Sequence, residues 1–173
     1  NPEHRDESIR DVDIEYIHCR SEEDLLIRFL NWWDHPINTP DVISGWNSKL
    51  FDMTYMVNRI TNVLGEEQTK RLSPWRRVLR KDINILGKDV QSYDVVGIAQ
   101  LDYMDLFRKF GYKYGTQESY RLDHIAHVVL GEKKLDYSEH KTLHSLYMHD
   151  YQKFIDYNIK DTVLIERMEN TMG

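Results

Sequence analysis

Ile43-Ser44-Gly45-Trp46-Asn47-Ser48-Lys49-Leu50-Phe51-Asp52 is the stretch on which the reading of this chain turns. It opens as a short β-type run, passes through Gly45 and Asn47, and ends on a carboxylate. Glycine permits a tight turn, and Asn tolerates the left-handed backbone region. Met56, Ile60, Val63 and Leu64 then recur at helical spacing. The pattern predicts a helix over roughly 50–64, closed by Gly65. Asp52 would then sit in the first helical turn, where the helix dipole favours an anion. That alone is a sufficient structural role. A carboxylate delivered from a strand through a tight turn is also a way to present a metal ligand.

A second carboxylate stands far downstream, in Tyr157-Asn158-Ile159-Lys160-Asp161. A long helix is predicted over 150–168. Ile155, Ile159 and Val163 line one face, and Tyr157, Asp161, Leu164 and Met168 lie nearly opposite. A helix apolar on two faces is largely buried. A bare carboxylate there is expensive unless it meets a cation or several donors. Asp161 at the solvent boundary, with Tyr157 in a core, is the plainer alternative. The chemical alternative is phosphodiester hydrolysis with two divalent ions about 4 Å apart, held by carboxylates from separate elements. Hard oxygen ligands suit Mg²⁺ or Mn²⁺.

The 173 residues suffice for one domain with a core, and 40% apolar with 30% charged residues is ordinary for a globular protein. No apolar run is long enough to span a membrane. The chain opens on Asn1 with no apolar signal segment, and reads as a piece of a longer protein. Cys19 is the single cysteine, which rules out an internal disulfide and suits a reducing compartment such as the cytoplasm. A formal net charge of −6 argues against a non-specific nucleic-acid coat protein.

Residues 1–13 are charged and read as a loose leader or truncated stub, with one partial domain over 14–173. Ile14 to Cys19 alternates like a strand. Ser21, with Asp24 three residues on, caps a helix whose apolar face is Leu25, Leu26, Phe29, Leu30 and Trp33. Asp41 to Trp46 reads as a strand. An inserted β-hairpin is expected around 80–96, with Gly87 and Lys88 near its tip. Gly97 to Leu106 reads as a further strand continued by Phe107 to Phe110, and Leu122 to Leu130 as a helix ended by Gly131. Helices alternating with strands indicate an α/β domain with a mixed sheet.

Ser44-Gly45-Trp46-Asn47 with Phe51-Asp52 resembles the second exonuclease motif of family-B DNA polymerases, and Tyr157-x-x-x-Asp161 resembles the third. The segment Asp94 to Phe110, with Leu101-Asp102-Tyr103-Met104-Asp105-Leu106, resembles the region between them. The order and spacing are most like the T-even-like phage type. The resemblance implies an α/β, ribonuclease-H-like mixed sheet flanked by helices, and a proofreading 3′→5′ exonuclease. It implies Asp52 and Asp161 as metal ligands for Mg²⁺ or Mn²⁺, two ions in the complete site. Tyr157 would orient the attacking water, and Asn47 and Phe51 would contact the frayed primer end. The hairpin would be the strand-separating element. Implied partners are single-stranded or frayed primer DNA and the rest of a polymerase chain, acting in a host cytoplasm if phage-encoded.

Asp13-Ile14-Glu15 has the letters of the family's first motif, Asp-x-Glu. The 36 residues between Glu15 and Asp52 already hold a helix, a loop and a strand. They leave no length for the two further strands that the family places there. Asp13-Ile14-Glu15 therefore reads as the entry to a third strand, with the true motif and the first strands upstream. A site short of two of its four carboxylates would bind metal weakly, so the chain alone is expected to be a weak or inactive nuclease. Exposed sheet edges would invite a non-physiological dimer.

Lys70 to Lys81 is the one basic cluster, and within it Arg77, Arg80 and Lys81 are candidate contacts to a phosphate backbone. A solvated basic face explains it equally well. Trp32-Trp33 reads as helix packing, and Asp102 and Asp105 as structural residues flanking a strand. The pairs His124 with His127, and His140 with His144, lack the accompanying ligands of a zinc site. The competing function is a non-catalytic nucleic-acid-binding or bracing domain of the same fold.

Overall fold

The computed structural model describes residues 5–85, 87–132, 138 and 142–172. They divide into two compact units, Ile17–Lys109 and Asn1–Tyr16 with Phe110–Gly173.

In the first unit, helix α1 spans Glu22–Trp33. The Ser21 hydroxyl accepts from the Asp24 N–H at 3.1 Å, and the Asp24 carboxylate accepts from the Arg20 N–H at 3.1 Å. This satisfies N–H groups that a helix start leaves unpaired. Strand β1 is Val42–Gly45, α2 is Asp52–Leu64 and α3 is the single turn Glu66–Thr69. Strands β2 (Val78–Ile85) and β3 (Lys88–Val95) form an antiparallel hairpin. Strand β4 (Ala99–Asp102) pairs parallel with β1 in the register Val42↔Ala99 to Gly45↔Asp102. The mixed α/β class implied by the resemblance is present, with one small parallel and one small antiparallel sheet.

Leu26, Leu30, Trp33, Val57, Ile60, Leu72, Val95 and Ile98 form the core of this unit. Trp33 is buried and donates its indole N–H to the Leu72 carbonyl at 2.8 Å. Trp32, its neighbour, is exposed. Trp33 thus packs in the core, while the Trp32 ring lies 6.3 Å from that of Phe29 on the same helix.

Two strand expectations are corrected. Ile14 to Cys19 is irregular and largely exposed, and no strand lies beside it among the described residues. Alternation alone cannot hold a strand whose backbone groups have no ladder partner. The strand expected over Gly97 to Leu106 ends at Asp102, and α4 (Tyr103–Phe110) follows at once. The Asp102 carboxylate accepts from the Met104 N–H at 3.1 Å, and Tyr103 and Phe107 are buried four residues apart. Helical spacing in aromatics beats β propensity once a cap is present.

In the second unit, α5 (Leu122–Leu130) ends at Gly131 in the left-handed region (φ 72°). Helices α6 (Leu143–His149) and α7 (Tyr151–Met172) follow. Helix α7 packs against α5, α6 and the turn Glu7–Ile9. Ile9 is fully buried, the Asp6 N–H donates to Asp156 at 2.9 Å, and Arg167 donates to the Ser8 carbonyl at 2.8 Å. The charged stretch expected to be loose is thus anchored in its described part. One isoleucine and long-range polar contacts hold it, and neither shows as an apolar pattern.

Candidate active site

The register of β1 against β4 places Asp102 beside Gly45, where the chain turns towards α2. Asp102 is buried, and its carboxylate accepts from the Asn47 N–H at 2.9 Å and the Lys49 N–H at 3.2 Å. With Met104, it thereby satisfies three backbone donors on both sides of the turn. Ser44 donates its hydroxyl to the Leu101 carbonyl at 2.8 Å. The Trp46 ring lies 6.3 Å from those of Tyr103 and Phe107. Asn47 adopts φ 60°, as the turn reading anticipates. A network of this kind fixes the loop from both strands and from α4.

The loop sets Asp52 as the first residue of α2, with Phe51 exposed just before it. Partial burial of the Asp52 carboxyl pushes its pKa up, and the nearby Asp102 carboxylate adds to that rise. Asp52 is exposed as a residue. Solvent at this exposed residue screens the effect. Desolvation with a neighbouring like charge is the environment a cation would relieve.

Asp161 and Tyr157 lie in the second unit on α7, with Tyr157 buried and Asp161 partly so. Two neighbours are not foreseen from the sequence. Lys160 is buried at 1% exposure, and its ammonium donates to the Glu132 carboxylate. Arg167 donates to the same carboxylate at 2.8 Å and reaches Asp11 at 2.9 Å. Burial raises the Glu132 carboxyl, but the Lys160 and Arg167 contacts outweigh it and the net shift is downward. The available signal is Lys160 one turn after Tyr157 on an apolar face.

The basic cluster separates into roles. Arg71 grips Asp34 with two contacts, 2.7 and 3.0 Å, and is structural. Lys81 reaches across the hairpin to Asp94 at 2.6 Å, and Arg80 lies 3.2 Å from Asp82. No carboxylate among the described residues pairs with the Arg77 guanidinium. His124 contacts Gln117 at 3.1 Å, while His140 lies outside the described residues.

Among the described residues no group of three or more His, Cys, Asp or Glu side chains forms a metal cluster. The donors on offer are hard oxygens of the kind that hold Mg²⁺ or Mn²⁺, with Asp52 on one unit and Asp161 on the other. The Asp102 carboxylate is already occupied by backbone donors, so it braces the loop rather than adding a ligand.

Gly45 is required by close approach. A Cβ there would stand 2.6 Å from the Ser48 Cβ. Gly45→Ala is therefore expected to destabilise the chain by about 1–3 kcal/mol, read as a fall in Tm. Adding Ser48→Gly, which removes the colliding atom, is expected to restore most of it. No recovery in the double variant would show that the turn does not depend on this contact.

A two-stranded parallel sheet, a braced Gly-Trp-Asn turn and a carboxylate at a helix start define a mixed α/β domain. The profile of the exonuclease domain of DNA polymerase family B matches residues 2–125, and the chain belongs to that family. It is similar to the DNA-directed DNA polymerase of Escherichia phage RB69, with 36% identity over 154 residues, covering 89% of this chain and 16% of that protein. It is also similar to the DNA-directed DNA polymerase of Enterobacteria phage T4, at 31% over 158 residues, covering 91% and 17%. The DNA polymerase catalytic subunit of Psittacid herpesvirus 1 matches at 26% over 155 residues, covering 87% and 14%. The chain thus spans about one sixth of the length of the two phage relatives. No helix of the described residues is long and apolar enough to cross a membrane.

Proposed function

We propose that the two units, over residues 14–173, work as one 3′→5′ exonuclease domain acting on single-stranded or frayed primer ends. Its setting would be a polymerase chain in a phage-infected cytoplasm. The observation that carries this reading is the braced turn that sets Asp52, with its raised carboxyl, at the head of α2 in a chain of this family. Asp52 and Asp161 are the proposed ligands for Mg²⁺ or Mn²⁺. When bound, such ions supply a water of lowered pKa and stabilise the leaving oxygen. The Tyr157 hydroxyl would orient the attacking water, and Asn47 and Phe51 would contact the terminal nucleotide.

Asp13 and Glu15 are exposed in an irregular segment, which supports leaving them out of the site. Two carboxylates hold a cation less well than four, so the chain alone hydrolyses DNA slowly. The test is release of nucleotides from 3′-labelled single-stranded DNA with Mn²⁺. Slow, metal-dependent release is expected, reduced by about 10²-fold in Tyr157→Phe, the scale on which loss of one preorganised group acts. Brisk hydrolysis by the chain, or full activity in Tyr157→Phe, would overturn these assignments.

A further inference from the structure

A cavity of about 370 Å³ opens between α2 and the foot of the hairpin. Val57 and Thr61 of α2, Thr69 of α3 and Tyr93 of β3 contribute its walls. Its size is within the range of small-ligand sites. Four cations line it as well, Lys70, Arg76, Arg77 and Arg80, against one carboxylate, Glu66. On a protein of net charge −6 that is a local reversal of sign.

These cations are not used up by internal pairing. Arg76 lies 3.8 Å from Asp34, whose carboxylate Arg71 already holds more closely. Arg80 meets Asp82 at 3.2 Å with both side chains mostly exposed, a pairing of little net worth. Lys70 pairs with Glu67 at the surface. Arg77 has no carboxylate partner among the described residues.

The backbone bearing the two central arginines is held in an uncommon shape. Arg76 adopts φ 56°, a sterically disfavoured region for a side chain of its size. Ser73 maintains it, accepting from the Trp75 N–H at 3.1 Å through its hydroxyl and from the Arg76 N–H at 3.0 Å through its carbonyl. Its hydroxyl in turn donates to the Val96 carbonyl at 2.6 Å. Pro74 closes over Gly97, where a Cβ would come within 2.7 Å of the proline ring. Strain retained by this much surrounding structure is a feature of ligand clamps. The Tyr93 hydroxyl is fixed by donation to Asn58 at 2.7 Å, leaving the ring as a rigid wall.

We propose that this cavity is a nucleotide subsite away from Asp52. It takes one nucleoside-phosphate unit, with the base against Tyr93 and Val57 and the phosphate between Arg76, Arg77 and Arg80. The unit belongs either to a DNA strand passing the hairpin or to the free nucleoside monophosphate. Only this choice of sources rests on the exonuclease reading.

The test measures binding of a short fluorescent oligothymidylate to the full chain in EDTA, where hydrolysis is silent. Arg76→Gly with Arg77→Ala keeps the left-handed residue comfortable and removes two cations. It is expected to weaken binding by about tenfold and to flatten the log–log salt dependence by about 0.7 for each phosphate left without its cation. Thr61→Phe fills the cavity and leaves every cation in place, and it is expected to weaken binding as well. Competition by free thymidine monophosphate at similar concentration identifies the free nucleotide as the occupant; no competition identifies the strand. Unchanged binding in the arginine double variant overturns the proposal. So does unchanged binding in Thr61→Phe, which would reduce the site to a diffuse basic face. Binding in EDTA is read without hydrolysis, so failure of the nuclease assignment and failure of the subsite are told apart.

Discussion

Glu132→Gln is expected to lower the stability of the chain at neutral pH by about 3 kcal/mol, near the low end of the cost of breaking a buried ion pair. Lys160 is buried at 1% exposure, and the Glu132 carboxylate accepts from its ammonium. The amide variant keeps the shape of the side chain but leaves a buried cation short of its counter-ion, which low-polarity surroundings penalise heavily. Burial raises the Asp6 carboxyl, but its Ser8 hydrogen bonds and a smaller pull from Lys160 lower it on balance, so Lys160 keeps some compensation. Arg167 also retains Asp11 and the Ser8 carbonyl. These residual contacts argue for the lower end. Chemical denaturation of wild type, Glu132→Gln, Lys160→Met and the double variant measures it. The double variant is expected to lie close to wild type, because an apolar replacement of the lysine removes the stranded charge. Additive losses in the double variant would show that the two side chains do not act as a pair.

The parts of the fold legible in the sequence are those whose signals are local. Ser21 and Asp24 mark the start of α1, Gly65 closes α2, and Gly131 closes α5. Asn47 enters the left-handed region as its side chain allows. The hairpin is legible in its pairing, though it begins at Val78 because the loop Ser73–Arg77 docks against Val96 and Gly97. What is not legible depends on distant partners. Ile14 to Cys19 alternates without a neighbouring strand, and Asp102 turns the chain into α4 where aromatics suggest more strand. Lys160 shows in the sequence only as a lysine on an apolar helix face, and its partner Glu132, 28 positions away, is not legible there. The same limit applies to the site. Gly45, Asn47, Phe51 and Asp52 are close together in sequence and can be read as one group, whereas the brace that aims them, Asp102, comes from a strand 55 residues after Asn47. Asp102 reads as structural from the sequence, and its three backbone bonds show what that role is.

Asp52→Asn is expected to have opposite effects on the metal-free and metal-bound protein. Burial, reinforced by the Asp102 charge, raises the Asp52 carboxyl, so the folded chain holds this proton more tightly than the unfolded one. The stability this group contributes is full below the ordinary carboxylate pKa and is lost as pH rises through the raised folded value. At neutral pH the ionised side chain opposes folding, and the amide does not. The metal-free variant is therefore expected to melt above wild type at pH 7, with the gap closing as pH falls through the carboxylate range. Added Mn²⁺ is expected to reverse the order. A ligand that binds only the folded state stabilises by mass action, about 2.7 kcal/mol at a hundredfold excess over Kd. The proposed site loses an essential ligand in Asp52→Asn. Wild type should gain Tm with Mn²⁺ and the variant should not. Nucleotide release should fall by at least about 10²-fold, the scale seen when one preorganised charge-stabilising group is lost. Asp161→Asn supplies the decisive comparison. If both carboxylates serve one cation, each single variant abolishes the Mn²⁺ response and the double variant loses nothing further. Separate sites would instead give partial losses that add, and that result would break the proposed pairing of Asp52 with Asp161 while leaving the membership in the exonuclease family untouched.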